Sequence, residues 1–246
     1  MKTSSNSYKV IACESVSHVM QTIANGISGN FEFISNSIGL HNQPARMRNL
    51  LQQEIDQTQP GQFAAILLGY GLCGAAMHGI CSRDIPLVLP RAHDCITLHL
   101  GSREKYMQQH LAFPGTYWFS ERVLQNTTAA SLGATSFGEQ QADLDTLINK
   151  YGQENAAFLQ ESMNNWKNNY TRAVYLQLEH EVETTALEKA REIAKKQNWQ
   201  FEIMSTNVDL LENLLRGNWQ DDFLIVPPHH QIHITGDEQI ITARPC

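Results

Sequence analysis

Short apolar runs alternate along the chain with longer stretches in which apolar residues recur every third or fourth position. The first kind predicts strands and the second amphipathic helices, because side chains alternate across a strand but return to one helix face at i, i+3 and i+4. Residues 8–13 (YKVIAC) predict a buried strand, and residues 15–25 a helix with Val16, Val19, Met20 and Ile23 on one side. Residues 31–35 (FEFIS) predict a second strand. Pro44 suits a first helical turn, where its missing N–H costs nothing, and Met47, Leu50, Leu51 and Ile55 follow at helical spacing. Residues 63–68 (FAAILL) and 86–89 (PLVL) are continuous apolar runs, expected of strands covered on both faces of a parallel sheet.

Asp94 is placed to cap a helix over 95–100. Ser102 is placed to cap the next, with Lys105 where a capping box would carry Glu or Gln. Residues 125–169 are polar, rich in Gln and Asn, and helical in pattern. Alternation then resumes with a strand over 173–178, a helix over 184–197 and a strand over 199–204. A helix over 208–215, stopped by Gly217, and a strand over 223–226 (FLIV) follow. Gly236 and Asp237, between 232–235 and 239–242, predict a closing hairpin. This order predicts an α/β fold with doubly wound, mostly parallel sheets in two Rossmann-like lobes. The expected division is an N-terminal lobe over 1–124, a helical insert over 125–170 and a C-terminal lobe over 171–246.

Composition narrows the class. A chain of 246 residues, 42% hydrophobic, is long enough to bury a core. Its formal charge is −7 and its 18 basic residues are scattered, which argues against nucleic acid or an anionic membrane as partner. No apolar run approaches the ~20 residues of a membrane span, and the first residues lack a secretory apolar stretch. Five cysteines, an odd number in a large chain, fit a reducing cytoplasm better than a disulfide framework.

Candidate chemistry collects after the strands. Cys13 ends the first; Tyr70, Gly71 and Cys73 follow FAAILL; Arg91, His93, Asp94 and Cys95 follow PLVL; His229 and His230 follow FLIV. In an open parallel sheet all carboxyl ends share one edge, where ligands bind. Cys13, Cys73 and Cys95 are therefore expected on that edge as ligands of a metal centre, an iron–sulfur cluster or zinc, with His93 or water as fourth ligand. The competing reading is that each cysteine is core packing, since cysteine is often buried. His93, Asp94 and Arg91 are the candidate acid/base and orienting groups, with helix capping as the other reading of Asp94. Arg91, Arg103 and Ser102 are candidates to hold a small anionic molecule, with an ordinary helix cap and a solvated Arg103 as the other reading; Tyr70, Tyr117 and His229 are candidates to line the cleft, with core packing as the other reading of Tyr117. Cys81 and Cys246 are expected to be incidental. No Walker loop, G-x-S-x-G elbow or H-E-x-x-H occurs.

LGYGLCG at 68–74, LPRAHDCITLHLGSREKY at 89–106 and PGTYWFS at 114–120, with IACES near the start, resemble an uncharacterised bacterial and archaeal family, a domain of unknown function. The resemblance covers roughly the first half of the chain and implies that Cys13, Cys73, His93, Asp94, Cys95, Gly101, Ser102, Arg103 and Tyr117 are signature positions. Some members are encoded beside corrinoid-dependent methyl-transfer proteins, which implies a metal- or cofactor-linked task. The Gln/Asn-rich middle and the Pro-Pro-His-His segment depart from the family's pattern.

Three functions follow from these residues. The first is a metal-dependent metabolic enzyme, a lyase or transferase acting on an anionic substrate. The second is a metal- or cofactor-binding accessory protein serving a partner enzyme. The third is a metal-free enzyme with Cys73 or Cys95 as nucleophile and His93 as base. A homodimer is compatible with each.

Overall fold

The computed structural model describes residues 7–125, 166–178 and 184–246, and the single positions 148, 152, 153 and 155. The elements run β1 (Ser7–Cys13), α1 (Glu14–Ala24), β2 (Asn30–Asn36), α2 (Pro44–Asp56), β3 (Ala65–Gly69) and β4 (Leu87–Pro90). Next come α3 (Cys95–Leu100), α4 (Arg103–Ala112), β5 (Thr116–Ser120), α5 (Glu121–Gln125) and β6 (Arg172–Leu178). The chain closes with α6 (Thr185–Gln197), β7 (Gln200–Thr206), α7 (Asp209–Arg216), β8 (Phe223–Val226), β9 (His230–Ile234) and β10 (Ile241–Pro245). Among the described residues no helix is long and apolar enough to cross a membrane.

The chain divides into two compact units, Met1–Met107 with Asn207–Cys246, and Gln108–Thr206. Residues 207–246, expected in a C-terminal lobe, belong instead with the N-terminal strands. The expected insert over 125–170 lies largely outside the described residues.

In the first unit five strands are ordered β2-β1-β3-β4-β8. The first four run parallel, as their apolar runs predict, and β8 pairs antiparallel with β4. Alternation across the pleat sends Val10, Ala12, Leu67 and Val88 to one face, where Val16 and Met20 of α1, Leu98 of α3 and four leucines of α7 cover them. Ile11, Ile66 and Leu68 face the other way, onto Met47, Leu51 and Ile55 of α2 and onto Ile232 and Ile241 of the β9–β10 hairpin. Helices on both faces of a mostly parallel sheet make the unit a doubly wound, Rossmann-like α/β fold. The return of the chain has a plain cause. Leu210, Leu211, Leu214 and Leu215 form an apolar stripe, and the β1–β3–β4 face is where that stripe is buried.

The second unit is a parallel sheet of order β5-β6-β7. Its core joins Tyr117 and Phe119 of β5, Ala173 and Tyr175 of β6, Trp199, and the Ala186, Leu187, Ala190 and Ala194 stripe of α6. The TYWFS run of β5 is buried throughout, a strand that the sequence pattern did not separate from the helices around it.

The hairpin turn covers residues 235–240 rather than two residues, because Ile240 takes a left-handed φ of 55° and turns its side chain inward. Cys81 and Cys246, expected to be incidental, form a disulfide with Cα atoms 6.4 Å apart. The bridge fastens the end of β10 to the loop ahead of β4.

Leu214 is fully buried. Leu214→Ala is expected to lower stability by about 2–5 kcal/mol, as core Leu truncations do. Amide exchange should then quicken in β1, β3 and β4. Quickening confined to β5, β6 and β7 would show that α7 belongs with the second unit.

Candidate functional site

From β1 the chain moves outward to β2 and then crosses back to β3, so strand order reverses between β1 and β3. At such a switch point the loops beyond the carboxyl ends diverge and leave a crevice. Ala12 faces Gly69 in register and Cys13 faces Asn36, which sets Cys13 at the crevice with Tyr70 following on the neighbouring strand. Asn36 Nδ2 donates to the hydroxyl of the buried Tyr70 at 3.1 Å.

Pairing continues past the sheet. Leu72 N–H donates to the Ala92 carbonyl at 2.9 Å and Cys73 N–H to the His93 carbonyl at 3.3 Å. Only glycine permits this approach at position 71, because a Cβ there would lie 2.6 Å from Asp94 Cα. The β3 and β4 loops are thereby held backbone to backbone, Cys73 on one and Cys95 close to the other's turn into α3.

Cys13, Cys73 and Cys95 are unbridged. Cys13 is the N-cap of α1, and its sulfur accepts the Ser15 hydroxyl at 3.3 Å and the Ser15 backbone N–H. Cys73 has a left-handed φ of 45°, and its sulfur accepts backbone N–H groups from Gly71 and Cys95. Burial nevertheless raises both thiols above their ordinary range. Cys73 is raised further by Cys13 and Asp94 nearby. Desolvation outweighs the donors, so in the metal-free protein both groups are neutral thiols at physiological pH.

Asp94 caps α3. Oδ1 accepts the N–H of Ile96 at 3.0 Å and of Thr97 at 3.3 Å, and Oδ2 accepts the Tyr106 hydroxyl at 3.2 Å. Burial raises its carboxyl pKa against these donors and against the nearby His93. The His93 ring is exposed and lies flat against Tyr106, with centroids 5.7 Å apart. Tyr106, whose phenol is raised by burial and by Asp94, therefore stands between them. The sequence singled out neither Tyr106 nor Asn36 as a site residue; the signals were a tyrosine one turn beyond the Ser102 cap and a polar residue at a strand end.

Several expected site residues are occupied elsewhere. Arg91 Nε donates to the Phe223 carbonyl at 3.2 Å, and Nη1 donates to the carbonyls of Gln239, at 2.9 Å, and Ile241. Arg103 Nη2 donates to the Glu238 carbonyl at 2.7 Å, and Nη1 lies 3.5 Å from Asp222 Oδ1. Both arginines brace the β8 entry and the hairpin through these backbone carbonyls. Neither presents a free guanidinium to an anion. The Ser102 hydroxyl accepts the Lys105 N–H at 3.2 Å as an α4 cap. Tyr117 sits in the core of the second unit, 4.9 Å from Trp199 and 5.1 Å from Tyr170 between ring centroids. His229 follows a strand antiparallel to β4 and so leaves the sheet at the opposite edge. Its N–H bonds to the Arg83 carbonyl at 3.2 Å, and Nε2 is 3.7 Å from Asp84. The carboxyl edge holds three of the four expected segments, not four. Among the described residues no three His, Cys, Asp or Glu side chains are already arranged to hold a metal ion.

Fold and site together define a Rossmann-like α/β protein with unbridged cysteines at the switch-point edge of a mostly parallel sheet. Residues 36–215 match the family model described as protein of unknown function (DUF1638), and the chain belongs to that family. The matched stretch contains Cys73 and Cys95, and Cys13 precedes it. No curated protein and no solved structure matches the chain.

Asp94→Ala is expected to cost about 1 kcal/mol through loss of the cap, whereas Asp94→Asn should preserve it. Because burial raises the Asp94 pKa, the wild type loses stability as pH rises from the ordinary carboxyl pKa through the raised one. Asp94→Asn should flatten that slope in urea titrations across the acid range; an unchanged slope would mean that Asp94 ionises freely.

Proposed function

We propose that the chain is a small-molecule metabolic enzyme of lyase or transferase type. Its Cys13, Cys73 and Cys95 thiols hold a thiophilic metal centre, an iron–sulfur cluster or zinc, at the β1/β3 switch point. One observation supports this reading above others: two half-buried thiols, Cys13 at the end of β1 and Cys73 in the loop after β3, share the crevice, each with hydrogen-bond donors aimed at its sulfur and, among the described residues, neither with a cation or base to ionise it. Thiolate ligands need N–H donors around sulfur and a positive charge that replaces their protons. The first requirement is met by Ser15, Gly71 and Cys95, and the second would be met by a metal ion.

The third ligand would come from Cys95, whose backbone N–H already bonds to the Cys73 sulfur. Since no three ligands stand preassembled among the described residues, binding requires the three sulfurs to close around the metal. When bound, a metal with an open position supplies Lewis acidity towards a substrate oxygen or sulfur. The protein's own groups do the rest. The Tyr106 hydroxyl donates to Asp94 beside the site, and the exposed His93 ring lies against Tyr106, within reach of a bound substrate. A cysteine nucleophile acting without metal fits less well, because burial disfavours the thiolate that would attack.

Anaerobic purification with elemental analysis and an absorption spectrum tests the proposal. The wild type should carry stoichiometric iron with a band at roughly 400 nm, or colourless zinc, after reconstitution. Cys13→Ser and Cys73→Ser should each lose most of the metal, while Cys81→Ser keeps it. A wild type that takes up neither metal, or a fully loaded Cys73→Ser, would overturn the assignment.

A second prediction concerns the metal-free protein. At about pH 8, alkylation of Cys13 and Cys73 should run at least tenfold slower than that of a free thiol and quicken steeply with rising pH. Mass spectrometry of iodoacetamide-treated protein resolves this, and fast labelling of Cys73 would favour the nucleophile instead.

A further inference from the structure

With Arg91 and Arg103 engaged by backbone carbonyls, another group of basic side chains in the first unit is left without an acidic partner. In the β9–β10 ladder His233 faces Thr242 and Gln231 faces Arg244. Pleating places all four on one side of the hairpin, opposite Ile232, Ile241 and Ala243, which pack on the core. His78, from the loop after β3, brings its ring to 5.1 Å from that of His233, measured between centroids. Its Nδ1 accepts the Ile234 N–H at 3.4 Å. That bond leaves the proton of neutral His78 on Nε2, so the ring's free nitrogen is a donor.

Arg244 is exposed, and among the described residues it has no carboxylate at ion-pair distance. Burial, then Arg244, then His78 hold the His233 imidazole below its ordinary range; no carboxylate opposes them. A chain of net charge −7 has thus gathered three basic groups and the Thr242 hydroxyl on one small surface. A cation is unsuited to it, because Arg244 repels positive charge and Nδ1 of His78 is already taken.

We infer that His78, His233 and Arg244, with Thr242, form a binding site for a tetrahedral dianion, the phosphate group of a phosphorylated small molecule. The guanidinium supplies permanent charge and paired donors, His78 supplies Nε2–H, and His233 becomes imidazolium as the dianion arrives. Binding therefore takes up a proton and strengthens as pH falls. The inference is independent of the thiol proposal, since none of its residues belongs to the cysteine crevice.

Inorganic sulfate, which stays dianionic across the range, and inorganic phosphate are the probes, and the imidazole resonances of the full-length chain the readout. Sulfate should shift the His78 and His233 signals and raise the His233 pKa. Its affinity should rise more than tenfold between pH 7.5 and 5.5, because one protonation of a group held below its ordinary range is linked to binding. Arg244→Gln and His233→Gln, both surface changes that leave folding intact, should each weaken binding about tenfold. Cys73→Ser should bind sulfate like the wild type, which separates this test from that of the metal centre. Imidazole signals that ignore both anions, or equal binding by Arg244→Gln, would overturn the site. So would a response to zinc alone, which would make the histidine pair a metal ligand.

Discussion

Between Gly71 and Asp94 there is no room for a side chain, and the whole carboxyl edge is organised by that fact. Two loops that would otherwise diverge after parallel strands stay hydrogen-bonded through Leu72–Ala92 and Cys73–His93. The contact fixes where α3 begins, because Asp94 supplies both the backbone that meets Gly71 and the carboxylate that caps the helix. It also fixes what α3 offers, since the first N–H of that helix reaches the Cys73 sulfur. A single close approach thus couples the cap, the helix start and the thiol. Disturbing any one of them moves the others.

The electrostatics of the edge follow from the same crowding. Cys13, Cys73, Asp94 and Tyr106 are acids, and each is pushed towards its neutral form by burial, in the first three more strongly than their donors pull them back. Acids packed together also resist one another's ionisation, as Cys13 and Asp94 do towards Cys73. Such a set stores protons and lacks positive charge. A cation entering it would find several acids able to release protons in exchange.

Much of this was legible in the sequence, for reasons specific to particular residues. YKVIAC, FAAILL and PLVL are apolar without interruption because helices cover both sheet faces, and strands with that pattern run parallel. Their shared direction placed Cys13, Cys73 and Cys95 on one edge. The FLIV strand has the same apolar pattern, yet it lies antiparallel at the sheet margin. Nothing within four residues encodes strand direction; it is decided by the α7 stripe that delivers the chain from the opposite side. That inversion carried His229 to the far edge and removed residues 207–246 from the expected C-terminal lobe. Side-chain partners were less legible still. Arg91 and Arg103 looked free because the carbonyls that engage them lie more than a hundred residues away in sequence.

The two arginines show how an edge strand constrains a site that it does not enter. An antiparallel β8 begins at the carboxyl edge, so its first carbonyl, that of Phe223, emerges beside the residues that follow β4. Left unbonded and partly buried, such carbonyls are costly. Arg91 bonds to that group, to Gln239 in the hairpin turn and to Ile241 at the start of β10, and Arg103 extends the brace to Glu238. Both flank the His93–Asp94–Cys95 segment, Arg91 just ahead of it and Arg103 after α3. Guanidinium groups engaged in this way contribute rigidity on either side of the cap and the thiol.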